Sequence, residues 1–234
     1  MIVNEQIYSH FNFRRTLAME RIIVEGGNPL NGTVRVSGAK NAALTAICAS
    51  LIAKGQVTLD NVPRIADVYI LLEIINDLGV ETCWEGSNTL ILNTPDNIKY
   101  KTLYKQVKKL RASNLLLGSL LARVGRAEIA LPGGCNIGNR PMDLHLKGMA
   151  QLGAEIYLEH GYIKASAKRL VGDKIYLDFP SVGATENIMM AGCVAEGSTV
   201  IENVAKEPEI VDLANLLNTL GAKVKGAGTD VIKI

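Results

Sequence analysis

The strongest constraint on this chain is that it repeats itself. Three segments, GAKNAALTAICASLIAKG (38–55), RASNLLLGSLLARVG (111–125) and GATENIMMAGCVAEG (183–197), consist of small and apolar residues almost all the way round. A helix with no polar face is expected to be buried on every side. The asparagines Asn41, Asn114 and Asn187 recur at intervals of 73 residues. Each segment is followed by a glycine and a short alternating strand, starting near Gln56, Arg126 and Ser198. A more amphipathic helix comes next and ends in DLGV, QLGA or TLGA, so Gly79, Gly153 and Gly221 fit the left-handed position that closes a helix. A strand, a glycine-bearing turn and a second strand complete each copy: ETCWEGSNTLILN, EIYLEHGYIKAS and KVKGAGTDVIKI.

Three copies of a helix–strand–helix–strand–strand unit are therefore predicted, by the self-comparison used for repeat proteins. Buried helices need a wrapping, so the expected fold is α/β: an inside-out, barrel-like domain with helices inside, sheets outside and a pseudo-threefold axis. The expected divisions are a leader over 1–18, a connecting segment over 19–37 and a domain over 38–234. Within that domain the repeats lie at about 38–95, 108–168 and 180–234.

One copy is longer than the others. Gly55 to Gly79 and Gly197 to Gly221 each span 24 residues, whereas Gly125 to Gly153 spans 28. The four extra residues fall at LPGGCNIGNRP (131–141), too rich in Gly and Pro for a strand or helix interior. Insertions into a repeated scaffold often carry binding or catalysis, the alternative being a tolerated surface loop. Cys135 stands in it between Gly134 and Asn136, with Arg140 five residues on. An exposed thiol near cations has a lowered pKa and can act as nucleophile or proton donor.

The other cysteines read differently. Cys48 and Cys193 lie in apolar helical runs, as core residues do, and Cys83 beside Trp84 reads as a strand residue. None of the four forms a C-x-x-C pair, which argues against zinc. The 25 basic and 23 acidic residues nearly cancel, and only three Phe and one Trp are present, so a basic, base-stacking nucleic-acid surface is disfavoured. No apolar run is long enough to span a bilayer, and the N-terminus lacks the apolar stretch of a signal peptide, so a cytoplasmic location without membrane contact is expected.

All three buried segments open with groups suited to anions. Lys40 and Asn41 open the first, Arg111 the second, and Ser181, Val182 and Gly183 the third. Helix N-termini attract anions through free N–H groups, and around a threefold axis the three starts converge on one cleft. The alternative for the first is Ser37 as a helix cap with Lys40 extended into solvent. Asp143 and His145 either meet a base or ribose or form the exposed face of a first helical turn. EPEIVD (207–212) reads as a helix start, with Pro208 in the first turn.

Taken together, SGAKNAA, LRAS, LPGGCNIGNRPMDLH, SVGAT and ENVAKEPEIVDLANLLNTLGA resemble the UDP-N-acetylglucosamine 1-carboxyvinyltransferase family of enolpyruvyl transferases, over about Met19 to Ile234. The resemblance implies transfer of enolpyruvyl from phosphoenolpyruvate to the 3′-hydroxyl of UDP-N-acetylglucosamine, the first committed step of peptidoglycan precursor synthesis, with no cofactor. It implies that Cys135 gives a proton to the enolpyruvyl methylene carbon, forms an adduct with phosphoenolpyruvate and is alkylated by fosfomycin. Lys40 and Arg140 would hold phosphoenolpyruvate, Asn41 the sugar and Arg111 the nucleotide side. Arg140, Pro141, Met142, Asp143 and Leu144 would line the uridine site, and Ser181, Val182 and Gly183 would meet the diphosphate.

Two departures accompany the resemblance. The family often has an aromatic residue in the helix after RAS, where this chain runs NLLLG. The family also has two such domains, the second supplying the Asp that takes the sugar hydroxyl proton and further arginines. The expectation is a single domain, catalytically incomplete alone, in which 19–37 is the segment that normally packs with the other domain and self-association uses the face that domain would cover. The alternatives are a non-catalytic nucleotide-sugar or anion-binding remnant and a half-enzyme completed by another chain.

Overall fold

A computed structural model of the chain describes residues 23, 25–27, 29, 31–107, 110–131 and 142–234. The expected leader (1–18) and the loop residues Cys135, Arg140 and Pro141 lie outside the described residues. Contacts divide the chain into Met1–Arg35 and Val36–Ile234, and the architecture below belongs to the second unit. Residues 31–39 form no helix or strand, and Val34 and Val36 are exposed.

The three apolar segments are the central helices. They are α1 (Lys40–Ser50), a 3-10 turn (Arg111–Leu115) running into α4 (Leu116–Val124), and α6 (Val182–Gly192). The amphipathic helices between them are α2 (Ala66–Leu78), α5 (Asp143–Gln151) and α7 (Pro208–Thr219), with a short α3 (Tyr104–Val107) before the second repeat. In α6 every residue from Ala184 to Gly192 is buried. Its neighbours approach through glycines. A Cβ on Gly118 of α4 would lie 2.4 Å from the Asn187 carbonyl oxygen, and one on Gly148 of α5 would meet the Ile188 side chain at 2.3 Å. Close backbone approach, rather than a turn, is what requires glycine here. Fully burying a side chain such as Ile188 is worth about 1.5–3 kcal/mol, and the central helices supply much of the common core.

Three small sheets accompany the helices. Sheet one runs β1 (Gly55–Leu59), β3 (Thr89–Thr94), β2 (Glu81–Glu85), and sheet two runs β4 (Arg126–Ala130), β6 (Tyr162–Ser166), β5 (Glu155–Glu159), both antiparallel throughout. Their identical order is the repeat made visible. Sheet three departs from it. Its order is β7 (Lys174–Tyr176), β8 (Val200–Glu202), β9 (Val231–Lys233), and β7, which precedes α6 in sequence, pairs parallel to β8. The first strand expected in KVKGAGTDVIKI shrinks to one bridge, Lys225 to Lys233. A parallel bridge from Lys101 to Glu128 puts the approach to the second central helix in the same relation to β4. The third unit thus begins one strand earlier than helix–strand–helix–strand–strand, the second has a single bridge in that place, and residues 31–39 before the first form no strand.

The glycines mark the repeat faithfully. Gly55, Gly79, Gly125, Gly153, Gly197 and Gly221 all have positive φ. The asparagine spacing does not mark equivalent positions: Asn41, Asn114 and Asn187 stand 14, 11 and 10 residues before Gly55, Gly125 and Gly197. Asn41 is accordingly in the first turn of α1, Asn114 in the 3-10 turn and Asn187 in the second turn of α6.

Candidate functional site

The starts of the three central helices meet at one open cleft of about 800 Å³. Lys40 and Asn41 reach it from α1, Arg111 and Asn114 from the 3-10 turn, and Ser181, Val182 and Gly183 from α6. Met142 and His145 line it from the α5 side and Glu209 from α7. Of the residues singled out in the sequence, Lys40, Asn41, Arg111, Met142, Ser181, Val182 and Gly183 therefore share a single surface. Asp143 is exposed at the start of α5, and Leu144 is buried in the core. Cys135, Arg140 and Pro141 lie outside the described residues.

Local contacts set the chemistry of the rim. Lys40 Nζ is paired with Asp67 of α2 at 3.0 Å, and both side chains are partly solvated. A pair of this kind contributes little net stability, so the ammonium is cheaply redirected to a ligand. Asn41 Nδ2 donates to Glu209 Oε1 at 3.0 Å. Ser37 is not the cap of α1: the helix is preceded by Ala39 and has no side-chain cap bond, so among the described residues its first N–H groups have no side-chain acceptor. Ser181 does cap α6, through a long bond from Ala184 N at 3.4 Å.

His145 corrects one expectation. It is not on an exposed helical face but buried, with Nδ1 2.8 Å from Asn187 Nδ2. Gly183 makes room for it, since a Cβ there would stand 3.0 Å from His145 Cε1. Burial, with Arg111 adding like charge, pushes the imidazole pKa down to about 4, so the ring is neutral at ordinary pH. Asn187 ties the site together: its Nδ2 also donates to the Asn114 carbonyl at 3.1 Å, and its Oδ1 accepts from Gly118 N at 2.7 Å. Asn114 itself is buried and lines the cleft, and among the described residues its side-chain oxygen has no hydrogen-bond partner.

Sequence reasoning gave no site role to several cleft residues, among them Asp67, Phe179, Glu186 and Glu209, the last read only as part of a helix start. Phe179 is a half-exposed aromatic at the cleft, which the sequence reading sought only in the helix after RAS. Glu186 is buried in α6 and accepts a hydrogen bond from Thr45 Oγ1 at 2.7 Å. A signal for it existed, because it is the one acid among the apolar residues of GATENIMMAG.

Cys48 is buried and burial pushes its thiol pKa up strongly, while that of Cys193 rises to about 12, so both thiols stay protonated. Among the described residues no group of three or more His, Cys, Asp and Glu is arranged to hold a metal ion, and no helix is long and apolar enough to cross a membrane.

The chain is similar to known proteins in sequence and in fold. The family model of EPSP synthase (3-phosphoshikimate 1-carboxyvinyltransferase) matches residues 24–234. UDP-N-acetylglucosamine 1-carboxyvinyltransferase 2 of Carboxydothermus hydrogenoformans is 56% identical over 216 residues, covering 92% of this chain and 51% of that protein. UDP-N-acetylglucosamine 1-carboxyvinyltransferase 1 of Caldanaerobacter subterraneus is 54% identical over 214 residues, with 92% and 51% covered. The solved enolpyruvyl transferase NikO from Streptomyces tendae superposes with a TM-score of 0.77 at 26% identity, covering 89% of this chain and 49% of that one. EPSP synthase from Acinetobacter baumannii, at 23% identity and a TM-score of 0.68 over 87% of this chain and 46% of its own, shares the fold. The chain spans about half the length of the curated relatives it matches.

Proposed function

The chain belongs to the EPSP synthase (3-phosphoshikimate 1-carboxyvinyltransferase) family, and on that premise we propose that it supplies one domain of an enzyme that moves enolpyruvyl from phosphoenolpyruvate to the 3′-hydroxyl of UDP-N-acetylglucosamine. The observation that carries this reading is the convergence of three helix starts, with Lys40 and Arg111, on one cleft. Both substrates are anions, and fixed cations and N–H dipoles around a cleft suit them. The identity to relatives named for this transfer supports the choice of acceptor. The process served would be peptidoglycan precursor synthesis, in the cytoplasm.

The reaction joins the sugar O3 to C2 of phosphoenolpyruvate while C3 gains a proton and the hydroxyl loses one. The adduct then breaks its C2–O bond to phosphate and returns a proton from C3, leaving an enol ether and inorganic phosphate. In this reading the proton to C3 comes from Cys135. Arg111, Ser181, Val182 and Gly183 meet the nucleotide diphosphate, Asn41 the sugar, Met142, Asp143 and Leu144 the uridine side, and Lys40 with Arg140 the phosphoenolpyruvate.

Binding and turnover test separate parts of this reading. Calorimetry with UDP-N-acetylglucosamine should show binding that Arg111→Ala weakens about tenfold or more, as expected for losing a charged hydrogen bond. Unchanged affinity in Arg111→Ala and Lys40→Ala would overturn the cleft assignment. Phosphate release from phosphoenolpyruvate, absent in Cys135→Ser, would show that this chain alone completes a working site. Binding without cysteine-dependent release would mean that catalysis needs groups supplied from elsewhere.

A further inference from the structure

The geometry points to Glu186 as the residue through which the cleft couples binding of an anionic sugar nucleotide to uptake of a proton, an inference that rests on the sugar-nucleotide reading above. Glu186 is 4% exposed yet lines the cleft. Among the described residues its one hydrogen bond is from Thr45 Oγ1 to Oε1 at 2.7 Å, and no cation forms an ion pair with it. Its surroundings explain why a proton would stay. From α1 the buried thiol of Cys48 lies near it, and Lys40 lines the same cleft with its charge engaged by Asp67. The 3-10 turn brings Arg111 to the cleft and α5 brings the neutral His145. From α7 come two more acids, Glu207 and Glu209.

Burial disfavours the Glu186 carboxylate most. The Thr45 hydrogen bond opposes this, Glu209 and Glu207 reinforce it, and together they lift the carboxyl pKa from its ordinary 4.5 to about 7. A diphosphate entering the same cleft adds negative charge facing a poorly solvated carboxylate. It therefore favours the neutral acid, and the proton goes to Oε2, the oxygen not engaged by Thr45. The neutral acid can then donate to a ligand oxygen where the carboxylate could only repel it. Specificity follows: the cleft prefers its anion with a neutral Glu186.

The test is calorimetric titration with UDP-N-acetylglucosamine, and separately with sulfate as a bare anion, in buffers of different ionisation enthalpy. Neither ligand changes its own charge between about pH 6 and 8.5, so proton uptake reports the protein. If the ligand raises the carboxyl pKa by one unit, affinity is about tenfold weaker at pH 8.5 than at pH 6 and net uptake peaks near neutrality. Glu186→Gln keeps an oxygen for Thr45 and should bind with a flat profile and without that uptake. Thr45→Val removes the bond that favours the charged form and should move the midpoint to higher pH. An unchanged pH dependence in Glu186→Gln, or a flat profile in the parent, overturns the inference and leaves the sugar-nucleotide reading standing. Sulfate binding with Glu186-dependent uptake, without binding of the sugar nucleotide, overturns the reading and keeps the coupling. Binding of neither ligand overturns both.

Discussion

The first and third repeats each place an asparagine in the opening turns of a central helix and use it in opposite ways. Asn41 is exposed on α1, lines the cleft and gives its amide to Glu209. Asn187 on α6 is fully buried and spans three partners, Gly118, Asn114 and His145. The helices differ in the same way. Both helices start at the cleft, but Asn41 stands in the exposed first turn of α1 whereas Asn187 lies in the stretch of α6 that is buried from Ala184 to Gly192. A repeated architecture has thus been specialised: one copy supplies rim, another supplies scaffold. Identical residues do not carry identical roles, because a hydrogen bond to an orphan buried group matters far more than one made beside water.

Several substitutions would sharpen or break this contrast. The largest effect is expected for Asn187→Ala, which removes three buried hydrogen bonds, the one from Gly118 N–H among them, at a cost of about 4 kcal/mol. Asn41→Ala should cost less than about 0.5 kcal/mol. Urea unfolding of both variants measures the gap, and equal losses would break the contrast.

Next comes the pH dependence of stability, where two buried cleft groups pull in opposite directions. Glu186 has a raised folded pKa, so its contribution is fully present below about 4.5 and is lost as pH rises through about 7. His145 has a lowered one, so its contribution is present above about 6.5 and is lost as pH falls through about 4. Between these limits the two slopes largely offset each other. Glu186→Gln removes the first alone. Its stability should exceed the parent's by on the order of 3 kcal/mol at pH 8 and converge with it at pH 4. Unfolding midpoints at the two pH values decide this, and parallel curves would mean that Glu186 is not held in the environment described.

A smaller contrast lies in the glycines. Gly118→Ala drives a methyl against the Asn187 backbone and should cost about 2–3 kcal/mol through displaced helices. At Gly55 nothing lies within 4 Å of a Cβ and only its φ of +83° resists substitution, so Gly55→Ala should cost about 1 kcal/mol. Thermal unfolding ranks the two, and a reversed order would remove the close α4–α6 approach from the account.

The sequence by itself determined the repeat, the all-apolar central helices, the left-handed glycines that punctuate them and the gathering of cationic and polar residues at helix starts. These features are local. Period, composition and turn chemistry act over a few residues and can be read along the chain. It also supplied the cysteine loop, as a four-residue departure from the repeat. Only the tertiary structure decided which apparent equivalences are real. Asn41 and Asn187 are 73 residues from Asn114 on either side, yet their helical positions differ because the helices before Gly55, Gly125 and Gly197 begin at different distances from them. His145 reads as an amphipathic helix residue, and its burial follows from Gly183, in the next repeat, yielding space. Glu186 becomes a cleft acid because α1 brings Thr45 to it and α7 brings Glu207 and Glu209 near, from 141 and about 20 residues distant. Burial and charge in a packed site are sums over neighbours that only the folded arrangement assembles, and the one-dimensional pattern contains no term for them.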